Sequence, residues 1–126
     1  MKQFCILMTA FLLIIGLHIF QNEYLDRTSK YLLTDLKSLE LAIRREDFEE
    51  AKQLASELNK TWKGLQEYWD SFGEHDSVED ITESLSTLEN YIKLEEKTES
   101  IIQANSVKSN IHFVLAGEKV SIGNIF

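Results

Sequence analysis

The clearest pattern in the chain is a seam of apolar residues from Phe48 to Phe72, spaced alternately three and four residues apart. This spacing keeps every member on one side of an α-helix, and it is typical of a helix that packs lengthwise against another helix. We therefore predict one helix over the whole stretch. Its seam comprises Phe48, Ala51, Ala55, Leu58, Trp62, Leu65, Trp69 and Phe72.

Three further seams with similar spacing predict three more amphipathic helices. The first extends from about Gln21 to Arg45, the next starts near Ser77, and the last ends near Gly117. A helix that is apolar along one stripe must bury that stripe against a neighbour. The three seams are Leu25, Leu32, Leu36, Leu39 and Ile43; Val78, Ile81, Leu85, Leu88 and Ile92; and Ile101, Ala104, Val107, Ile111 and Val114.

The segment from Phe4 to Phe20 differs from these seams because it is apolar all round and carries no formal charge. A helix of this length is about 26 Å long, against a hydrocarbon core of about 30 Å. No small-residue cleavage pattern follows it, and His18 and Ile19 are poor cleavage neighbours. We predict an uncleaved transmembrane signal-anchor over residues 1–20, so that residues 4–20 contact the membrane. A cleaved signal peptide and a buried soluble helix are the alternatives.

Charges around the apolar segment bear on its orientation. Lys2 precedes it, whereas Arg27 and Lys30 follow it among acidic residues. Because long domains cross the membrane largely regardless of charge, we predict a single-pass protein of the cell membrane with a cytoplasmic N-terminus and an extracytoplasmic C-terminal domain. Asn59 starts a glycosylation acceptor tripeptide, which would matter only in a translocated domain. The predicted domains are an anchor at 1–20, a helical bundle at 21–117 and a C-terminal tail at 118–126.

A weak internal repeat relates the two halves of the body. Three residues recur 49 positions later: Ile43 as Ile92, Glu46 as Glu95, and Glu50 as Glu99. The repeat predicts two αα-hairpins in tandem, resembling the helix-turn-helix pattern of tetratricopeptide repeats with longer arms. Two units are too few for a solenoid. We therefore predict an all-α fold, a transmembrane helix followed by an antiparallel four-helix bundle. The seams can also close between chains as a coiled coil, which would make a homo-oligomer.

Composition and charge narrow the classes of function. The chain of 126 residues has no proline, five glycines and a net charge of −8. An acidic body repels nucleic acid, so we expect no nucleic-acid partner. The single cysteine, Cys5, excludes an internal disulfide and a cysteine-based zinc site.

Residue patterns typical of catalysis are missing from the sequence. It contains no G-x-S-x-G motif and no glycine-rich phosphate loop. His75 lies between Glu74 and Asp76, but adjacent residues at a helix start rarely converge on one ion, and such carboxylates are typical of a helix N-terminus. We therefore predict a protein without catalytic activity, cofactor or metal.

Aromatic residues near the end of the helix predicted from Phe48 to Phe72 are the best candidates for a binding site. Exposed Trp and Tyr are enriched in binding hot spots, whereas large residues at helical spacing usually fill a core. Exposure would therefore indicate a docking patch, a cavity among Trp62, Trp69 and Tyr91 would indicate a ligand site, and full burial would indicate a structural role. The candidate residues are Trp62, Tyr68, Trp69, Phe72, His75 and Tyr91.

Several stretches together resemble a known family. They are the N-terminal anchor, YLLTDLKSLELAIRREDFEEA, the paired tryptophans of NKTWKGLQEYW, the acidic helix start of EHDSVEDITESLSTLENYI, and the closing NIF. In these features the chain is similar to an uncharacterised bacterial family of small anchored helical proteins, described as a domain of unknown function and found mostly in Gram-positive spore formers. The resemblance implies a location in the bacterial envelope and a membrane protein as partner. It implies no activity, substrate or catalytic residue.

These observations favour one class of function over another. We predict a membrane-anchored extracytoplasmic interaction or accessory protein that binds a membrane or envelope partner. The alternative is a small-ligand sensor or binding module with an aromatic pocket between helices.

Overall fold

The structure is a computed structural model that describes the backbone of residues 1–72 and 75–125 and the side chains of residues 1–71 and 75–116. Within these ranges it has four helices and no strand, which confirms the prediction that the fold is all-α. The apolar segment at 4–20 and the first predicted body helix form one continuous element. The helices are α1 at Lys2–Arg44, α2 at Phe48–Phe72, α3 at His75–Lys93 and α4 at Lys97–Ile125.

Helix α1 has two halves with opposite surroundings. It contains 43 residues and is about 65 Å long. Its most apolar 18-residue window is 0% buried inside the protein, and among the described residues it is the one helix long and apolar enough to cross a membrane. From Leu25 onward, in contrast, its seam is buried by the other helices. No proline interrupts the helix between the two halves.

The core is built from the four seams that the sequence predicts. Helix α1 packs against α2 and α4, and α3 packs against the same two helices, so every helix has two neighbours. Two seam residues, Leu65 and Ile101, pack against the core from partly buried positions. The buried apolar residues are Leu25, Leu32, Leu36, Leu39, Ala42, Ile43, Ala51, Ala55, Leu58, Trp62, Trp69, Val78, Ile81, Leu85, Leu88, Ile92, Ala104, Val107, Ile111 and Val114.

The turn between α1 and α2 and the turn between α3 and α4 have the same backbone conformation. Glu46 in the first turn has a φ of 60°, and Glu95 in the second has a φ of 57°. The N–H of Glu46 donates to the Ile43 carbonyl at 3.0 Å, and the equivalent bond from Glu95 to Ile92 is also 3.0 Å. The left-handed residue lets the chain reverse within three residues after each helix. The 49-residue repeat therefore extends to the turn geometry.

Each left-handed glutamate forms an ion pair with a lysine of the other pair of consecutive helices, α1–α2 or α3–α4. Glu46 lies 3.5 Å from the Lys97 ammonium at the start of α4, and Glu95 lies 3.3 Å from the Lys52 ammonium in α2. The two turns are therefore neighbours at one end of the body. Both pairs are partly exposed, so each is worth little on its own.

Buried positions also recur with the 49-residue spacing. Between Leu32 and Trp62, every buried residue except Ala42 has a buried counterpart 49 positions later, usually of similar size. The matched buried pairs are Leu32 and Ile81, Leu36 and Leu85, Leu39 and Leu88, Ile43 and Ile92, Ala51 and Ser100, Ala55 and Ala104, Leu58 and Val107, and Trp62 and Ile111.

Two predicted helix boundaries can be compared with the structure. The predicted helix start is confirmed at Asp47, whose Oδ1 accepts the Glu50 N–H at 3.3 Å. The predicted helix end near Gly117 is wrong, because α4 continues to Ile125. A glycine in a helix interior costs about 1 kcal/mol, which is too little to end a helix without proline. The predicted helix end at Gly73 lies outside the described residues.

Candidate functional site

The two tryptophans of α2 lie inside the body. Trp62 is 1% exposed and Trp69 is 0% exposed, and their ring centroids are 5.3 Å apart in an edge-to-face arrangement. Such a geometry is favourable for aromatic rings in a core. The predicted docking patch therefore does not include these two residues, and their burial matches the structural role that the sequence left open.

Each indole N–H is paired with a threonine on a neighbouring helix. Trp69 Nε1 donates to Thr28 Oγ1 in α1 at 3.0 Å, and Trp62 Nε1 donates to Thr82 Oγ1 in α3 at 2.9 Å. Thr28 in turn donates to the Tyr24 carbonyl at 2.8 Å. These bonds satisfy both indoles away from water. Neither indole N–H is therefore left free to bind a ligand.

Two tyrosines extend the aromatic cluster to the surface. Tyr24 in α1 and Tyr68 in α2 have ring centroids 5.8 Å apart, and Tyr68 is 56% exposed. Tyr91 does not join them. It lies nine residues beyond Thr82 in α3, about 14 Å further along the helix from the Trp62 contact. Helix α3 therefore carries Tyr91 away from this contact, toward the turn at 94–96.

His75 lies at the start of α3 and contacts carboxylates of two helices. Its Nδ1 is 2.7 Å from Asp70 Oδ1 in α2, and its Nε2 is 3.9 Å from Glu79 Oε2. The hydrogen bond and the charge of Asp70 raise the pKa of His75 above its usual value. The imidazole is exposed, so it links the ends of α2 and α3 at the surface. The side chain of Phe72, another predicted site residue, lies outside the described residues.

Two further expectations from the sequence concern metal binding and the glycosylation acceptor Asn59. In the described part of the chain, no group of three or more His, Cys, Asp or Glu side chains could hold a metal ion. Asn59, the predicted glycosylation acceptor, is half-buried within α2, and its Nδ2 donates to a Glu89 oxygen in α3. The atom that would carry a glycan is therefore engaged in the fold.

A shallow surface groove between α1 and α4 carries a charge opposite to that of the whole chain. Its volume is about 510 Å³, and its lining contains three lysines and one carboxylate beside apolar residues. They are Lys30, Lys37, Lys108, Glu40, Leu33 and Leu36. Lys30 is also paired with Asp26 at 3.3 Å. The groove lies on the outside of the body and is separate from the tryptophans.

Sequence reasoning missed Thr28, Thr82 and the three lysines. Nothing in the heptad spacing marks them, because each is a polar residue beside a seam rather than a member of one. A buried indole N–H usually finds a partner, and this rule is the one signal that points to threonines near the tryptophans. The lysines meet only because α1 and α4 pack together.

Comparison with known proteins identifies the family but no activity. The family model described as "Domain of unknown function (DUF4363)" matches residues 19–125. No curated protein and no solved structure matches the chain. The match starts where the apolar half of α1 ends and covers the whole helical body. The chain therefore belongs to the DUF4363 family.

Proposed function

We propose that this protein is a non-catalytic accessory protein held in the cell membrane by the first half of α1. The observation that carries the proposal is the division of this helix. Its apolar window is 0% buried, whereas the same helix supplies core residues to the body from Leu25 onward. An apolar face without protein neighbours needs another apolar environment, and the length of the segment suits a bilayer. The anchor and the body are thus joined by continuous helix.

The body of the proposed protein is an antiparallel four-helix bundle of two tandem hairpins. Contacts between helices support this arrangement. Thr28 meets Trp69 near the start of the body in α1 and the end of α2, whereas Glu46 meets Lys97 at the opposite end. The short turns at 45–47 and 94–96 favour antiparallel neighbours. The likeness of each hairpin to a tetratricopeptide unit lies in its helix-turn-helix pattern alone.

The proposed location is the bacterial envelope, with the N-terminus in the cytoplasm and the body outside. The family membership supports a shared architecture. The chain has a net charge of −8, and Lys2 is the only charged residue before residue 21, so the body carries −9. This charge favours exposure to solvent rather than contact with anionic polymers. The partner in this proposal is a membrane or envelope protein.

Exposed apolar residues on the body are the candidate contacts for that partner. Large apolar side chains at a surface are enriched in binding hot spots when they cluster, and aromatic ones most of all. Tyr68 belongs to the original candidate patch and is exposed, as is His75. Among the body residues whose side chains the structure describes, the exposed large apolar ones are Tyr31, Leu41, Tyr68, Leu94, Ile102 and Phe113.

The proposal is tested by photo-crosslinking the full-length protein in its native membrane. A photoreactive amino acid is placed at Tyr31, Leu94 or Phe113, and at the exposed polar positions Lys63 and Glu83 as matched controls. We expect one recurrent membrane partner, captured from at least one apolar position and not from the controls. Capture of this chain alone would indicate a homo-oligomer instead. Equal capture at apolar and control positions would contradict a specific docking surface.

A further inference from the structure

The end of the body that carries the aromatic cluster is the end closest to the apolar segment. Tyr24 lies one helical turn after Phe20, about 6 Å further along α1. The tyrosine pair and the Trp69–Thr28 bond place the last turns of α2 beside this part of α1. From Tyr68 the α2 backbone continues for one more turn to Phe72, back toward the level of Phe20.

The end of α4 reaches the same level. Lys108 lines a groove with residues of α1 around Leu36. From Lys108 the α4 backbone continues for 17 residues to Ile125, about 26 Å. The same distance along α1 from Leu36 leads back to Ile19, the end of the apolar run. The ends of α2 and α4 therefore lie beside the point where α1 would leave a bilayer.

The aromatic cluster is not required by the internal repeat. The counterparts of Tyr24, Tyr68 and Trp69 in the 49-residue repeat are Gly73, Gly117 and Glu118 in this sequence. One hairpin thus carries aromatic residues where the other has glycine or glutamate. This difference points to a role for the cluster beyond the packing that both hairpins share.

Charges around the cluster are mostly negative. Glu67 and Asp70 lie in the last turns of α2, and Asp76 and Glu79 lie in the first turns of α3. They would repel anionic lipids and attract the ammonium groups that form the outer part of zwitterionic headgroups. Tyr and Trp are enriched at the membrane–water interface, where a ring is partly buried and a hydroxyl is solvated. Both observations suit a zwitterionic phospholipid surface.

We propose that this end of the body, defined here as the collar of Tyr24, Tyr68, Asp70 and His75, rests on the zwitterionic phospholipid headgroups around α1. Tyr68 lies at headgroup depth, with the carboxylates near the ammonium groups. The contact holds the body upright, so that the turns at Glu46 and Glu95 point away from the membrane. This inference rests on the proposed membrane anchor.

The depth of three positions in vesicles tests the collar. Single cysteines replace Leu13 in the apolar segment, Ser71 next to the collar and Leu94 in the far turn, all in a Cys5→Ser background. The full-length protein carries a nitroxide at each position in phosphatidylcholine and phosphatidylethanolamine vesicles. Collisions with oxygen report hydrocarbon, and collisions with a water-soluble nickel chelate report solvent. We expect position 13 in hydrocarbon, position 71 at headgroup depth and position 94 in water.

The outcomes separate the collar from the anchor. If position 13 is in hydrocarbon but position 71 collides with nickel as often as position 94, the collar is wrong and the anchor stands. If position 13 is in water, the anchor fails and the collar with it. In vesicles made of phosphatidylglycerol alone, we expect more nickel collisions at position 71. No change there would overturn the choice of zwitterionic lipid.

A matched pair of tyrosines tests the contribution of Tyr68. Tyr68→Ala should raise the nickel collisions at position 71 toward those at position 94, because one interfacial anchor is lost. Tyr31→Ala is the control, since Tyr31 is 69% exposed on α1 but lies about 17 Å beyond Phe20, above the headgroups. Equal effects of the two substitutions, or no effect of either, would contradict a membrane contact through Tyr68.

Discussion

At the scale of single residues, each tryptophan combines a buried apolar ring with one polar group, the indole N–H. Each ring supplies apolar area to the core, and each indole N–H is satisfied by a threonine of a different neighbouring helix. Helix α2 is thereby fixed to α1 through Trp69 and to α3 through Trp62. The threonine hydroxyls also donate to carbonyls of their own helices, so none of these polar groups is left unpaired.

The Trp69–Thr28 bond gives a measurable coupling. Thr28→Val leaves the buried indole N–H without its acceptor, so we expect a loss of about 1–3 kcal/mol in the free energy of unfolding. Trp69→Phe removes the donor, and the double variant should lose less than the sum, with a coupling of about 1 kcal/mol. Urea unfolding in detergent micelles, followed by circular dichroism, measures all four proteins. Trp69→Phe with Thr82→Val is the control pair, and additivity in the first pair would contradict the bond.

Asp35 gives a pH-dependent prediction. Partial burial, and then the charge of Glu57, raise its pKa above the ordinary value of 3.8. The folded state thus disfavours the carboxylate. This cost to stability is present above the raised pKa and disappears as the pH falls below 3.8, where both states are protonated. Asp35→Asn should therefore raise the urea midpoint at pH 7 and change it little at pH 3.5. A larger gain at pH 3.5 would contradict this sign.

At the scale of helices, the sequence pattern predicted more of the fold than of the site. Steps of three and four residues identified the seams that are buried, because this spacing directly encodes which face of a helix is apolar. The left-handed turns were not marked by glycine, since Glu46 and Glu95 occupy those positions. The partners of Trp62 and Trp69 depend on how the helices pack in three dimensions. Spacing along one helix cannot indicate them.

The 49-residue repeat also identifies a destabilising residue in α4. Ser100 is 0% exposed, and within the described residues its Oγ is buried without a hydrogen-bond partner. The matched residue in α2 is Ala51, which is also 0% exposed. Ser100→Ala should raise the free energy of unfolding by about 1 kcal/mol, because it removes an unpaired hydroxyl and improves helix propensity.

Ser84 provides the control for this substitution. It is also buried in a helix, but its Oγ donates to the Ile81 carbonyl at 3.1 Å and accepts from Asn110 Nδ2 at 3.1 Å. Ser84→Ala should therefore lower the free energy of unfolding, since it removes the Ser84 hydroxyl bonds and leaves the half-buried Asn110 amide with only the Asp80 carbonyl at 3.4 Å. Urea unfolding distinguishes the two. Similar effects of both substitutions would show that hydrogen bonding does not determine the difference.

At the scale of the whole molecule, the two halves of α1 differ in burial: the first half is exposed and the second half is part of the core. The apolar window of α1 makes no contribution to the buried core, and the family match starts at residue 19, where the body begins. Because the buried core of the body does not include the first half of α1, the body should fold without that half. Anchoring and folding are then separable properties, although continuous helix joins the segments responsible for them.

Deletion of residues 1–18 tests this separation. We expect a soluble helical protein with the same tryptophan emission maximum as the full chain in detergent, because Trp62 and Trp69 keep all their contacts. Deletion of residues 1–28 should be destabilising, since it also removes Leu25 from the core and Thr28 from Trp69. Gel filtration, circular dichroism and fluorescence compare the two fragments. Aggregation or red-shifted emission of the shorter deletion would mean that the apolar half of α1 supports the body, and that the helix is a structural part of the fold throughout its length.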